Sequence, residues 1–356
     1  MFRVLSRASI GLLAVAGVLI LALVREQTGT QGFLVGLGLA VLPVPPLMAV
    51  FHWLDRTKPG PWPQHLFVFA WGACAAALIA IVANSFATRW IAAATLDPRD
   101  ADQLGSIAIA PVVEECAKAA ALLLVFLFRG RRFTGITDAI VVAGFTATGF
   151  AFTENILYLG NAFGEDLGSG TSLLDSVTAA TFFVRVVMSP FAHPLFTVWT
   201  GLGFCWAAFA AGRWRRTGLP LAGLALAMAT HALWNSSSEF GEYGFYVVYA
   251  TVMVPVFGVL AWLGVRARGR REPLFVPAMR DAAYAGSAAG PYAAAAVDPY
   301  AGAAAPHPPG AVDPYPPGAV DPYPGVVRPS DPCPAAMPAG RPSLRRSALP
   351  GADGRP

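Results

Sequence analysis

The sequence predicts an all-α, polytopic transmembrane helix bundle of about eight spans followed by a disordered C-terminal tail. Composition is the first reason: the chain is 55% hydrophobic and only 13% charged, with a mean hydropathy of +0.54. Soluble domains run near ~25% charged residues, so this chain lacks the polar surface to keep itself in water. The second reason is that its apolar residues come in blocks of about 20, the length that crosses a hydrocarbon core of ~30 Å. The third is that the loops between those blocks alternate in charge.

The blocks give candidate spans at 8–24, 32–54, 65–87, 106–128, 137–160, 190–211, 219–236 and 244–265. The first follows Arg3 and Arg7 but has no Ala-x-Ala-like cleavage site after it, so it reads as a retained helix rather than a signal peptide. Pro43, Pro45 and Pro46 must kink the second span, which neighbouring helices can tolerate. Arg56/Lys58, Arg129/Arg131/Arg132, Arg213/Arg215/Arg216 and Arg266/Arg268/Arg270/Arg271 share one side with Arg3 and Arg7. Asp97, Asp100 and Asp102 (with Arg89 and Arg99), Glu165/Asp166 and Glu239/Glu242 share the other. The positive-inside rule then places the first set, and both termini, in the cytoplasm of a multi-pass cell-membrane protein. For this to hold, 177–211 crosses once, with Ser189-Pro190 as a helix break and 177–189 as an interfacial or re-entrant helix on the outer side.

The membrane domain is expected over 1–271. From Glu272 to Pro356 the chain holds 19 of its 31 prolines and repeats Val-Asp-Pro-Tyr at 297–300, 312–315 and 320–323. Such a stretch cannot bury a core and is expected to be a polyproline-leaning cytoplasmic tail without a fixed partner. The net charge of +4 is spread over short loops, which excludes a nucleic-acid partner and leaves membrane lipid as the surrounding medium. Cys74, Cys116 and Cys205 have no paired spacing and are expected to be small buried hydrophobes, with Cys333 in the tail.

Ionisable residues at bilayer depth cost several kcal/mol unless paired or solvated, so they mark function. Glu114-Glu115-x-x-Lys118 places a lysine three and four residues after two carboxylates on one helix face. One lysine balances one acid, which leaves a second with a perturbed environment. Glu154-Asn155, Arg185 with His193, and His231-x-x-x-Asn235 are further polar groups in apolar helices, while Asp138 reads as a helix N-cap. Counting at 1.5 Å per residue, Glu114 falls roughly 12 Å, Glu154 about 9 Å and His231 about 8 Å below the outer ends of their spans. His193 lies at most about 12 Å in if Arg185 marks the outer interface. Four helices therefore place polar residues in one layer of the outer half of the bilayer, which predicts a single shared site.

Two Glu, one or two His and an Asn around a cavity suit activation of water, with a carboxylate as general base and His and Asn as donors to an oxyanion. The same set suits a metal such as Zn2+, whose catalytic sites take three protein ligands, often His and Glu, plus water. HExxH is absent, and Ser189 beside Pro190 reads as a helix-break residue rather than a nucleophile. A proton-coupled transporter or a non-catalytic membrane scaffold is the competing class. Against the transporter stand the lack of an internal motif repeat and the layering of the polar groups.

Over 106–236 the motifs Glu114-Glu115-x-x-Lys118, Gly149-Phe150-x-x-x-Glu154-Asn155-Ile-Leu-Tyr158-Leu, Arg185 with His193, and His231-x-x-x-Asn235 resemble the PrsW family of intramembrane proteases. That family is distantly similar to the CAAX prenyl protease and Abi group, in which the second motif carries His where this chain has Glu154. The resemblance implies an intramembrane, metallo- or glutamate-dependent endopeptidase acting from the extracytoplasmic side on a single-span membrane protein, in some members an anti-sigma factor. The site expected on this reading is Glu114, Glu115, Lys118, Glu154, His193, His231 and Asn235, with Glu154, His193 and His231 as candidate metal ligands.

Overall fold

The structure, a computed structural model, describes residues 2–57, 59–95, 102–129, 135–170, 172 and 175–268. Lys58, Asp97, Asp100, Arg99, Arg131, Arg132, Arg270, Arg271, Cys333 and the tail expected from Glu272 lie outside the described residues.

The described elements are all helical, with no strand among them. In order they are α1 (Phe2–Val41), α2 (Val44–Asp55), α3 (Trp62–Ala70), α4 (Ala77–Thr95), α5 (Ala110–Arg129), α6 (Ile136–Ser169), α7 (Val177–Phe182), α8 (Ala192–Phe209), α9 (Arg213–Asn235), α10 (Gly244–Val248) and α11 (Val254–Ala267). Single π-helical turns join α3 to α4, α10 to α11, lead into α5 at Gly105–Ile109, and extend α7 over Phe183–Met188.

Six segments among the described residues are long and apolar enough to cross a membrane, rather than the expected eight. The first two expected spans fall in one 47-residue stretch, Ser9–Asp55, which Gly29 breaks with a positive φ of 71°. Only a residue without a Cβ takes that backbone cheaply. The fourth expected span, α5, is missing from the six because Glu114, Glu115 and Lys118 make it too charged to qualify by composition.

α6 is the pillar of the bundle: 89% of its span is buried, against 11–33% for the other five. It starts at an extended Gly135 and stops at Gly170 in the left-handed conformation, an ordinary glycine C-cap. Asp138 is therefore in the first turn rather than at the cap, where it complements the helix dipole. Without a hydrophobic drive between helices in lipid, close approach depends on small residues. A Cβ on Gly149 would run into the Phe69 carbonyl, and one on Gly72 into that of Thr146, so two glycines let α6 cross the α3–α4 junction backbone to backbone. Gly149→Val should therefore lose at least about 1–3 kcal/mol to overpacking. A lowered midpoint in detergent thermal unfolding would show it, and an unchanged midpoint would refute this crossing.

On α5 the buried positions Pro111, Glu114, Glu115, Lys118, Ala121, Leu122 and Val125 recur at three- and four-residue steps, so both acids and the lysine point into the bundle. Cys116 sits off this stripe and is exposed, contrary to the expected burial, whereas Cys205 is buried and Cys74 half-buried.

Candidate active site

Five helical segments deliver the polar residues to one place. α5 supplies Glu114, Glu115 and Lys118, and α6 supplies Glu154 and Asn155. The π-helical turn after α7 supplies Arg185, the start of α8 His193, and the last turns of α9 His231. The break before α8 is where it was expected: Ser189 leaves helical geometry (φ −128°, ψ 41°), and its hydroxyl donates to the Val184 carbonyl at 2.6 Å. Ser189 is thus a helix-break residue. The break turns the chain so that Arg185 and His193 both face Glu154.

The two adjacent glutamates are in unlike surroundings. Glu115 is fully buried and fully satisfied: Oε1 accepts from Lys118 Nζ at 2.8 Å and meets His231 Nδ1 at 3.1 Å, while Oε2 accepts from Thr197 at 2.9 Å. Glu114 is 6% exposed, and its Oε2 has no hydrogen-bond donor among the described residues. Lys118 Nζ lies 3.6 Å and His231 Nε2 3.9 Å from that oxygen. Oε1 meets the Asn84 amide at 3.5 Å, a long contact. The acid that one lysine cannot balance is Glu114.

Both imidazoles have their orientation set by a carboxylate. A proton on His231 Nδ1 lies on Glu115, which turns the Nε2 lone pair towards Glu114, and the ring stacks on Phe196 with centroids 4.6 Å apart. His193 Nε2 sits 2.6 Å from Glu154 Oε2, and its Nδ1 meets Lys118 Nζ at 3.2 Å, so Nδ1 accepts. Glu154 Oε2 also takes an Arg185 N–H at 2.6 Å, and Arg185 Nε donates to Asn155 at 2.8 Å. Arg185 therefore does not mark a free outer interface. Its guanidinium lies over the Tyr158 ring at 4.1 Å and closes the Glu154 side of the site.

Glu114, His193 and His231 each offer one ligand atom within 4.8 Å of the others, whereas the sequence pointed to Glu154 with the two histidines. Glu154 is instead bound by Arg185 and His193, where it orients the imidazole rather than facing the gap. The donor set suits a metal. Two histidines and a glutamate are a zinc catalytic set, and both rings have the carboxylate partners that metal-bound histidines use. Two atoms on one zinc ion at ~2.1 Å each lie no more than ~4.2 Å apart, and Glu114 Oε2 is 3.9 Å from His231 Nε2. What must yield is the Lys118 hydrogen bond to His193 Nδ1, because the Lys118 ammonium is already a cation among these groups.

Asn235 is not brought into the cluster. Its amide donates to the Ser106 carbonyl at 2.8 Å, one helical turn away from His231. Thr197, Asn84, Phe150 and Tyr158 are contacts that sequence reasoning did not select as site members. Phe150, whose ring lies 3.9 Å from Lys118 Nζ, and Tyr158 stood inside a quoted motif, and Thr197 follows His193 by one turn.

Arg185→Gln should keep the fold while loosening Glu154 and the His193 tautomer it sets. A loss of about 10–100-fold is expected, the usual range for a group that orients a ligand, read as a fall in kcat and in metal affinity together.

The family described as PrsW family intramembrane metalloprotease matches residues 60–260, which includes every member of the cluster. No curated protein and no solved structure matches the chain.

Proposed function

Because the chain belongs to the PrsW family of intramembrane metalloproteases, we propose that the Glu114–His193–His231 cluster hydrolyses a peptide bond of a single-span membrane protein in the outer half of the bilayer. The observation that carries this reading is the unequal state of the adjacent glutamates: Glu115 is saturated, and Glu114 keeps an unpartnered buried oxygen opposite two oriented imidazoles. An anti-sigma-factor-like protein is one substrate of the right form.

Glu114, His193 and His231 would hold the metal, which supplies a polarised water of lowered pKa and a Lewis acid for the substrate carbonyl. The rest of the chemistry lies with the chain. Glu115 holds the proton on His231 Nδ1, Glu154 holds the one on His193 Nε2, and Lys118 offsets the charge of the two adjacent acids. Glu114, which lines a cavity, takes a proton from the attacking water and returns it to the leaving nitrogen. The water oxygen bonds to the carbonyl carbon, the C–N bond breaks, and an acid and an amine leave.

The test is co-expression with candidate single-span substrates, with and without Glu114→Gln. Cleavage by the wild type alone supports the reading, and cleavage by both refutes it. The proposed topology, with both termini in the cytoplasm, has its own check. Reporter fusions after Arg132 and Arg216 should both report cytoplasm, and those after Asp102, Asp166 and Glu239 the exterior. Opposite signals from the first two would overturn the single crossing at 177–211 and the outer-half placement.

A further inference from the structure

We infer that Asn84, on α4, is the amide that binds the scissile peptide group beside Glu114, an inference that rests on the proposed proteolytic function. A cavity of about 170 Å3 reaches the catalytic cluster between α1, α4, α5 and α6, with Gln27, Asn84, Glu114, Glu154 and Tyr158 in its wall. A water's share of liquid volume is ~30 Å3, so the space takes a stretch of extended backbone as readily as several waters. Gln27, Asn84 and Ser85 give this cavity polar lining beside Glu114 and Glu154, while Ala77, Ala80, Ile81 and Leu157 give it apolar lining.

Asn84 is placed and equipped for such a role. It sits mid-helix between Ala83 and Ser85, and a buried amide oxygen without a partner is costly there. Its Nδ2 reaches Glu114 Oε1 only at 3.5 Å, and its Oδ1 is buried with no hydrogen-bond partner among the described residues. A primary amide offers two N–H donors and an acceptor. One residue of an extended chain carries the complementary pair, its own C=O and N–H on the same side. Bound here, the scissile carbonyl accepts a hydrogen bond from Asn84 Nδ2 while the N–H of the same substrate residue donates to Oδ1. That carbonyl is then next to the carboxylate that handles the water proton, where a donor acts on the developing oxyanion. Asn235 is committed to the Ser106 carbonyl, and Asn155 Oδ1 accepts from Arg185 Nε.

The experiment uses the full chain in phosphatidylethanolamine/phosphatidylglycerol liposomes. The probe is a synthetic single-span peptide with a fluorophore and quencher flanking small residues in its outer third. Asn84→Leu, similar in volume but without polar atoms, should lower kcat by about 10²–10³-fold, leave bound metal at the wild-type level, and change KM much less. Asn84→Gln, which keeps the amide on a longer stem, should recover part of that loss. Wild-type kcat in Asn84→Leu overturns the inference. So does loss of metal along with activity, which would mean that Asn84 acts by holding Glu114. A wild-type protein that leaves the probe intact fails the proposed function itself, and the wild-type arm distinguishes that failure from a failure at Asn84.

Discussion

Glu114→Gln is expected to abolish proteolysis while leaving the bundle folded. The substitution nearly keeps volume but removes the charge, the proton acceptor and a metal ligand at once. General-base removal alone is worth on the order of 10²–10⁴ in rate, so kcat should fall at least that far. Folding should not suffer, because Glu114 Oε2 has no hydrogen-bond donor to lose and Lys118 keeps its shorter contact to Glu115 at 2.8 Å. Metal content and thermal midpoint, measured on the same preparation, separate the two effects: metal should fall and the midpoint should hold. Glu115→Gln should do the reverse in part. It weakens the Lys118, His231 and Thr197 contacts together, so its loss of rate should come with a lowered midpoint.

Lys118→Met should have the largest effect on stability. The side chain is fully buried, and its ammonium is the positive partner of Glu115, the neighbour of Glu114 and a donor to His193. Removing one member of a buried pair leaves a charge uncompensated, at about 3–5 kcal/mol. Methionine refills most of the volume, so a cavity is not the cause. The double variant Glu115→Gln/Lys118→Met should recover much of the stability and none of the activity. Additive losses in a double-mutant cycle of thermal midpoints would show that the two residues do not pair.

Much of this site is legible in the chain. Ionisable residues on five apolar segments and their agreement in depth point to one cluster, and Glu114, Glu115, Lys118, Glu154, His193 and His231 do meet. Which glutamate is free is not legible, because a lysine three or four residues on reaches either carboxylate equally well. Thr197 and His231 decide it from α8 and α9, and those are tertiary contacts. The same limit hides the grouping of Glu114 with the two histidines. Glu154 looks available until Arg185 folds back over it, and an arginine beside a helix break reads from sequence as an interface anchor. Asn235 shares a face with His231, yet one turn carries it to the Ser106 carbonyl. Asn84 carries no such signal, because a single amide near Ser85, Thr88 and Arg89 reads as part of the polar end of its helix. Six apolar segments stand where eight spans were expected because the first two share the stretch Ser9–Asp55, broken at Gly29, and the charges on α5 keep it from qualifying by composition.

The most direct measurement is the rate at which the purified full chain cleaves a fluorogenic single-span peptide in liposomes as its metal is stripped and returned. Chelation should abolish cleavage, and stoichiometric zinc should restore it in the wild type but not in Glu114→Gln or His231→Ala. Undiminished cleavage by metal-free protein would contradict a metal-assisted site at Glu114, His193 and His231.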